Sequence, residues 1–268
     1  MQPEDYDYMY ELEDHHWWFA GMRTIAGALL DQHCAANCDR RILDAGCGTG
    51  SNLLWLQRYA GEGEIYAIDM SFQALQMSRQ RGSERLVQAS ITNLPFDDSS
   101  FDLVASFDVI VQLPTSDAAL QAMQEMYRVL KPGGIGFVRA AAFEWLRSGH
   151  DKALATQKRY GLSELSAQLE RNGFVVLRAT YANSLLLPAI AFRRLVLKRL
   201  GLADSGSDVK PLRPWLAPLN TIMRLILQVE AAWLRTMPVN LPAGVSAICV
   251  VRKPTGLPQE SRTRSQQL

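Results

Sequence analysis

The organisation of the chain follows from the stretch Ile42-Leu43-Asp44-Ala45-Gly46-Cys47-Gly48-Thr49-Gly50-Ser51-Asn52. Ile42 to Asp44 spells a short apolar strand and Asn52 to Tyr59 a helix, so the glycines fall on a strand-to-helix turn. Glycine lets the backbone turn sharply there and approach a ligand closely. The helix that follows presents free N–H groups to an anionic or polar group. Dinucleotide-binding loops want a third Gly or Ala where this chain has Ser51. Here an extra glycine stands at Gly50, and Asp44 precedes the loop, where a carboxylate fixes the loop or an ammonium group. Asp69 closes the next strand, about 20 residues on, a position from which a carboxylate accepts hydrogen bonds from both ribose hydroxyls. Loop and acid together point to a nucleoside without choosing its kind.

Outward from this point strands and helices alternate. Glu64 to Ile68 reads as a second strand, Ser71 to Gln80 as a helix, and Leu86 to Ala89 as a third strand before a turn-rich stretch, Asn93 to Ser100. Phe101 to Phe107 is almost continuously apolar, as for a strand buried on both faces. Ser116 to Leu130 reads as a helix stopped by Lys131-Pro132-Gly133-Gly134, and Ile135 to Ala140 as the fifth strand. Ser163 caps a helix, Glu164 to Arg171, that Asn172-Gly173 ends. Phe174 to Thr180 and Val245 to Val251 are the sixth and seventh strands. Such alternation predicts a parallel sheet covered by helices on both faces.

The flanks are less regular. Residues 1–20 are acidic, then aromatic, ending in His15-His16-Trp17-Trp18-Phe19, and 22–32 read as a helix with Met22, Ile25, Ala26, Leu29 and Leu30 on one side. Residues 182–241 form an insertion before the last strand. Its part from Leu185 to Leu200 is apolar but scatters Arg193, Arg194, Lys198 and Arg199 around the wheel, unlike a clean membrane-surface helix. From Leu219 to Leu234 the pattern is tidier: Ile222, Met223, Leu225, Ile226, Val229 and Trp233 share a face, which Glu230 interrupts. Five parts result: an N-terminal lid and helix (1–40), a core (41–181), a helical insertion or cap (182–241), a last core strand (242–253) and a tail (254–268) whose composition predicts disorder.

The 268 residues carry a formal net charge of +1, which gives no support for a nucleic-acid partner. The four cysteines, at 34, 38, 47 and 249, are too scattered for a disulfide framework and suit a reducing cytoplasm. His33, Cys34 and Cys38 lack a second ligand pair at zinc-like spacing, so no metal is expected. The acidic N-terminus does not read as a signal peptide, and no run reaches the roughly 18 apolar residues of a membrane span.

The loop Asp44 to Gly50, with Leu94-Pro95-Phe96, Phe101-Asp102-Leu103-Val104 and Arg128-Val129-Leu130-Lys131-Pro132-Gly133-Gly134, resembles the successive hallmarks of class I S-adenosylmethionine-dependent methyltransferases of the ubiquinone/menaquinone-methylase-like branch, type 11. The resemblance covers roughly residues 40–180, and Leu241 to Pro254 resembles the family's final antiparallel strand. It implies a Rossmann-like, doubly wound seven-stranded α/β sheet with the helical insertion before its last strand. It also implies that Asp44, Gly46 and Gly48 hold the methionine part of the cofactor, that Asp69 holds the ribose, and that Met70 lies beside the adenine. Ser90, followed by Ile91, stands where the family often has an Asp for the adenine amino group. Phe107 and Asp108 would pass beneath the sulfonium, and Gln112 replaces the family's His. Glu13-x-His15-His16-Trp17-Trp18-Phe19-x-Gly21-x-Arg23 resembles a lid, with Trp18 covering the methionine end and Arg23 pairing with its carboxylate.

Methyl transfer from a sulfonium needs alignment and exclusion of water, and a base only where the acceptor must lose a proton. His150, in a stretch after the fifth strand, is the candidate base. Asp108, Gln112, Arg159, Tyr160 and Glu230 are candidate acceptor contacts; for Glu230 an ion pair with an arginine of the insertion is the plainer expectation. A cytoplasmic enzyme methylating a small molecule at O or N is the leading expectation. Two alternatives stand beside it: a glycan or lipid-linked acceptor met at a membrane through peripheral contact of 185–200, and a non-catalytic adenosylmethionine-binding protein. The acceptor and the oligomeric state are left open.

Overall fold

A computed structural model describes residues 3–197, Leu200 and 217–256. Its order is α1 (Pro3–Leu12), α2 (Trp17–Leu30), β1 (Arg41–Ala45), α3 (Ser51–Ala60), β2 (Glu64–Asp69), α4 (Phe72–Gln80), β3 (Leu86–Gln88), β4 (Phe101–Phe107), α5 (Ser116–Val129), β5 (Leu130–Ala141), α6 (Gly149–Ala153), α7 (Leu162–Arg171), β6 (Val175–Ala182), α8 (Leu187–Phe192), α9 (Ala217–Thr236) and β7 (Ser246–Arg252). The strands form one sheet in the order β3-β2-β1-β4-β5-β7-β6. β7 runs antiparallel to β5 and β6, and the other pairs are parallel. This is the Rossmann-like seven-stranded fold that the family resemblance implied, its antiparallel last strand included. Chain order reverses between β1 and β4, and ligands of open α/β sheets bind at the carboxyl ends of strands beside such a switch point.

Both faces of the sheet are buried. On one, Leu43, Val104 and Val138 pack with Met123, Met126 and Val129 of α5 and Leu165 and Leu169 of α7. On the other, Ile42, Leu103, Phe107 and Phe137 meet Met22, Ile25 and Leu29 of α2, Leu56 of α3 and Leu227 and Leu234 of α9. The N-terminal helix and the insertion therefore complete the core of one face.

Several elements depart from expectation for local reasons. α2 begins at Trp17 because His16 caps it, Nδ1 accepting from the Trp18 N–H at 3.3 Å, and because Asn220 of α9 accepts from the Trp17 N–H at 2.7 Å. Lys131 to Gly134, anticipated as a helix stop ahead of the strand, lies inside β5: Lys131 Nζ holds both Asp102 carboxylate oxygens at 2.8 Å, and the Gly133 N–H donates to Lys253. α1 and the short α6 were not foreseen.

The face of α9 also differs. Its protein-facing stripe is Leu227, Glu230, Ala231 and Leu234 with half-buried Met223 and Ile226, whereas Ile222, Leu225, Val229 and Trp233 point outward. Gly21 of α2 sets this orientation, since a Cβ there would collide with the Leu227 side chain. The segment from Leu185 is a short α8 running into a π-helical turn, Arg193–Leu197. Among the described residues no helix is long and apolar enough to cross a membrane. Residues 198, 199 and 201–216 of the insertion, and 257–268 of the tail for which disorder is anticipated, lie outside the described residues.

Candidate active site

The carboxyl ends of β1, β2, β3 and β4 open on a cavity of about 1010 Å³. The glycine loop forms one wall with Gly46, Cys47 and Gly48. At Gly46 φ is +102° and a Cβ would run into Val109, while Gly48, at φ +55°, has open space above it. That combination lets the main chain come close to a ligand. The Gly48 N–H donates to Asp69 Oδ2 at 2.9 Å and the Ser71 N–H to Oδ1 at 2.8 Å. Asp69 is thus clamped between the loop and the start of α4, with a lone pair left on each oxygen. Burial raises its pKa, against the pull of these N–H donors. Met70, Ala89, Ile91 and Phe107 extend the wall with apolar surface.

Asp44 lies fully buried at the end of β1, behind the loop rather than on the cavity wall, and neither carboxylate oxygen has a hydrogen-bond partner among the described residues. Burial pushes its pKa up to about 8, the nearby Asp69 adding to the rise and Arg139 opposing it. An orphaned acid at this depth calls for a cationic partner. The clamped Asp69, the open backbone at Gly48 and the bare Asp44 together fit a nucleoside that carries an amino-acid arm.

The N-terminal segment closes the cavity from above through Tyr6, Met9, Leu12, Glu13 and His16 to Phe19. Buried Glu13 accepts from the Thr49 hydroxyl and faces Arg81 at 3.7 Å, and burial pushes its pKa up to about 7. Trp18 walls the cavity and lies 5.0 Å from the Arg139 guanidinium. Arg23, anticipated as a partner for a ligand carboxylate, does not line the cavity. Its Nη1 donates to Ser51 Oγ at 2.7 Å and its Nη2 to the Glu13 carbonyl at 3.0 Å, which ties the N-terminal segment to α3.

Beyond β4, Asp108 has φ +59°, and its Oδ2 accepts from Arg139 Nε at 2.8 Å and lies 2.7 Å from Arg139 Nη2. Gln112 and His150, the latter in the first turn of α6, line the same cavity. Arg159 borders it while buried, donating to Asp151 Oδ1 and to the Ala142 carbonyl, each at 2.7 Å. Asp151 also closes the capping box of α6 with Ser148, so the ion pair fixes the loop that carries His150.

Three further candidates stand apart from the cavity. Ser90 Oγ is taken up by Thr92, 2.8 Å from its hydroxyl and 3.2 Å from its N–H, and so closes a turn. Tyr160 is buried in the core under the loop, where burial raises its pKa to about 12. Among the described residues Glu230 meets no arginine, and it does not line the cavity: its carboxylate accepts from the N–H groups of Asn183, Ser184 and Leu185 at 2.5, 2.8 and 3.1 Å, anchoring the chain after β6. Conversely, Arg139 and Asn183 line the cavity without having been singled out. A lone charge inside the apolar run Ile135 to Ala140 was the available signal for Arg139. For Asn183, buried with a carboxamide that has no hydrogen-bond partner among the described residues, there was none. Among the described residues no cluster of three His, Cys, Asp or Glu is placed to hold a metal ion.

A family model described as a methyltransferase domain matches residues 43–138. The chain is 30% identical over 176 residues to a 2-phytyl-1,4-naphtoquinone methyltransferase of Nostoc punctiforme, covering 62% of this chain and 68% of that protein. It is 34% identical over 155 residues to a malonyl-[acyl-carrier protein] O-methyltransferase of Pectobacterium atrosepticum, covering 57% of this chain and 53% of the relative, so it spans about half of that length. In fold it is similar to a SAM-dependent methyltransferase from Aquifex aeolicus, with a TM-score of 0.53 at 18% identity over 68% of this chain and 93% of that one. With the glycine loop, the clamped acid after β2 and the antiparallel last strand, the chain belongs to the class I methyltransferases of type 11, enzymes whose cofactor is S-adenosylmethionine.

Proposed function

We propose that the enzyme methylates a small acceptor with a largely apolar body, at oxygen or nitrogen, in the part of the cavity that the insertion roofs. The observation that carries this is the continuity of one cavity: it runs from the glycine loop and Asp69 to Leu186, Ile190, Leu219 and Met223 of the insertion. A relative named for a phytylated naphthoquinone agrees with an apolar acceptor. In this reading residues 1–40 act as the lid, 41–181 with 242–253 as the cofactor core, and 182–241 as the cap that sets specificity.

Asp69 holds the ribose hydroxyls, Gly46 and Gly48 bring main chain against the methionine arm, and Asp44 faces its ammonium. Met70 and Ile91 flank the adenine, and Phe107 packs beneath the sulfonium with Trp18 above. When bound, adenosylmethionine supplies a sulfonium methyl that needs no further activation. The chain's own part is to align the acceptor and exclude water, which the N-terminal segment and the insertion do by closing over it. His150 takes the proton from the acceptor, while Gln112 and Asp108 orient it from the β4 side and Arg159 steadies the His150 loop. Label from methyl-labelled cofactor, incubated with cell extract and traced by mass spectrometry, should enter an organic-extractable small molecule. His150→Ala should slow this at least tenfold with unchanged adenosylhomocysteine affinity. Label entering only protein or nucleic acid would refute the assignment.

One observation favours a lipid-linked acceptor as a second reading. Ile222, Leu225, Val229 and Trp233 form an exposed apolar row on α9, and Phe192 and Val196 of the insertion are exposed as well. Co-sedimentation with anionic vesicles that is abolished by Leu225→Gln/Val229→Gln supports peripheral contact, and no sedimentation of the unaltered chain removes it.

A further inference from the structure

Arg139 is a buried cation on the wall of the cavity. Its guanidinium lies 5.0 Å from the ring centroid of Trp18 and 5.3 Å from that of Phe107. Nε and Nη2 both meet Asp108 Oδ2, and Nη1 has no partner among the described residues. The contacts of Nε and Nη2 with Asp108 hold one edge of the group and leave the Nη1 edge for an anion. Sheet register shows what that edge faces. Phe107 pairs with Arg139 across β4 and β5, Asp44 pairs with Ala105 across β1 and β4, and Ala105 and Phe107 are two apart on one strand. Side chains opposite one another, or two apart, share a face. Asp44 and Arg139 therefore rise on the same face, two strand spacings across and two residues along, or about 12 Å apart at Cα. The guanidinium leans over Phe107 on the strand between them.

We propose that Arg139 receives the carboxylate of the methionyl arm while Asp44 takes its ammonium, so that two side chains of opposite sign recognise the amino-acid head. The inference rests on the cofactor placement proposed above. It moves to β5 the carboxylate role that sequence pattern assigned to Arg23. Trp18, covering the guanidinium from the N-terminal segment, couples closure of that segment to occupation of the clamp.

Calorimetry on the full chain tests the clamp with adenosylhomocysteine and 5′-methylthioadenosine, which keeps the nucleoside and thioether but lacks the amino-acid head. Arg139→Met should weaken adenosylhomocysteine about 10- to 100-fold and leave methylthioadenosine within about twofold, with Arg139→Lys recovering part of the loss. Equal loss for both ligands, or loss for neither, overturns the clamp. The unaltered protein gives a second measurement: decarboxylated adenosylhomocysteine should bind at least tenfold more weakly than adenosylhomocysteine, and equal affinity also overturns it. Failure of the unaltered protein to bind either adenosylhomocysteine or methylthioadenosine would bring down the cofactor placement itself, a result distinct from failure of the clamp alone.

Discussion

Glu13, at the end of the N-terminal segment, accepts a hydrogen bond from the hydroxyl of Thr49 in the glycine loop. The contact joins the part of the chain that covers the cavity to the part that forms its floor. Arg81 and Arg23 add favourable charge, yet burial dominates and holds the Glu13 pKa at about 7, above the ordinary 4.5.

A pH dependence of stability follows from Glu13. A carboxyl whose folded pKa lies above its unfolded value binds its proton more tightly in the folded state, so its contribution is complete below about pH 4.5 and is lost as pH rises through about 7. Thermal melts of the unaltered chain should decline between pH 5 and 8 more steeply than those of Glu13→Gln. Parallel declines would show that Glu13 is ionised throughout.

Asp44 makes a second prediction, in the cofactor rather than in stability. With burial holding its pKa at about 8 it is mostly protonated at neutral pH, and an arriving ammonium favours its charged form. Adenosylhomocysteine binding should therefore release a proton near pH 7, and affinity should rise with pH towards 8. Titrations in buffers of different ionisation enthalpy measure the release. Asp44→Asn should abolish it and weaken binding about tenfold or more.

Glu230 is expected to be structural. Glu230→Ala leaves three N–H groups after β6 without their acceptor and should destabilise the chain by roughly 3 kcal/mol in denaturant unfolding. Adenosylhomocysteine affinity should change little, because none of this network touches the glycine loop. A loss of cofactor affinity larger than the loss of stability would contradict the assignment.

The sheet was largely legible because each of its signals is local: an apolar run, a cap, a glycine turn. Asp44 and Asp69 were legible as candidates for the same reason, since their offsets from the glycine loop are short. The face of α9 was not. That helix is apolar most of the way round, and the choice between its stripes depends on Gly21, distant in sequence, admitting Leu227. Arg23 and Ser90 were read as ligand-facing from the family resemblance, and Glu230 as a candidate contact with an arginine of the insertion as its plainer partner. Their partners, Ser51 with the Glu13 carbonyl, Thr92, and the backbone of 183–185, are backbone groups or hydroxyls that no residue pattern announces.

The central claim is that Asp69 holds adenosylmethionine by its ribose while the glycine loop lies against the methionine arm. The most direct measurement is calorimetric titration of adenosylhomocysteine into the unaltered chain and into Asp69→Ala, with NADH as a comparison. Binding to the unaltered chain, a loss of about 10- to 100-fold in Asp69→Ala and no binding of NADH are predicted. Undiminished affinity in Asp69→Ala, or NADH binding without adenosylhomocysteine binding, would contradict the account.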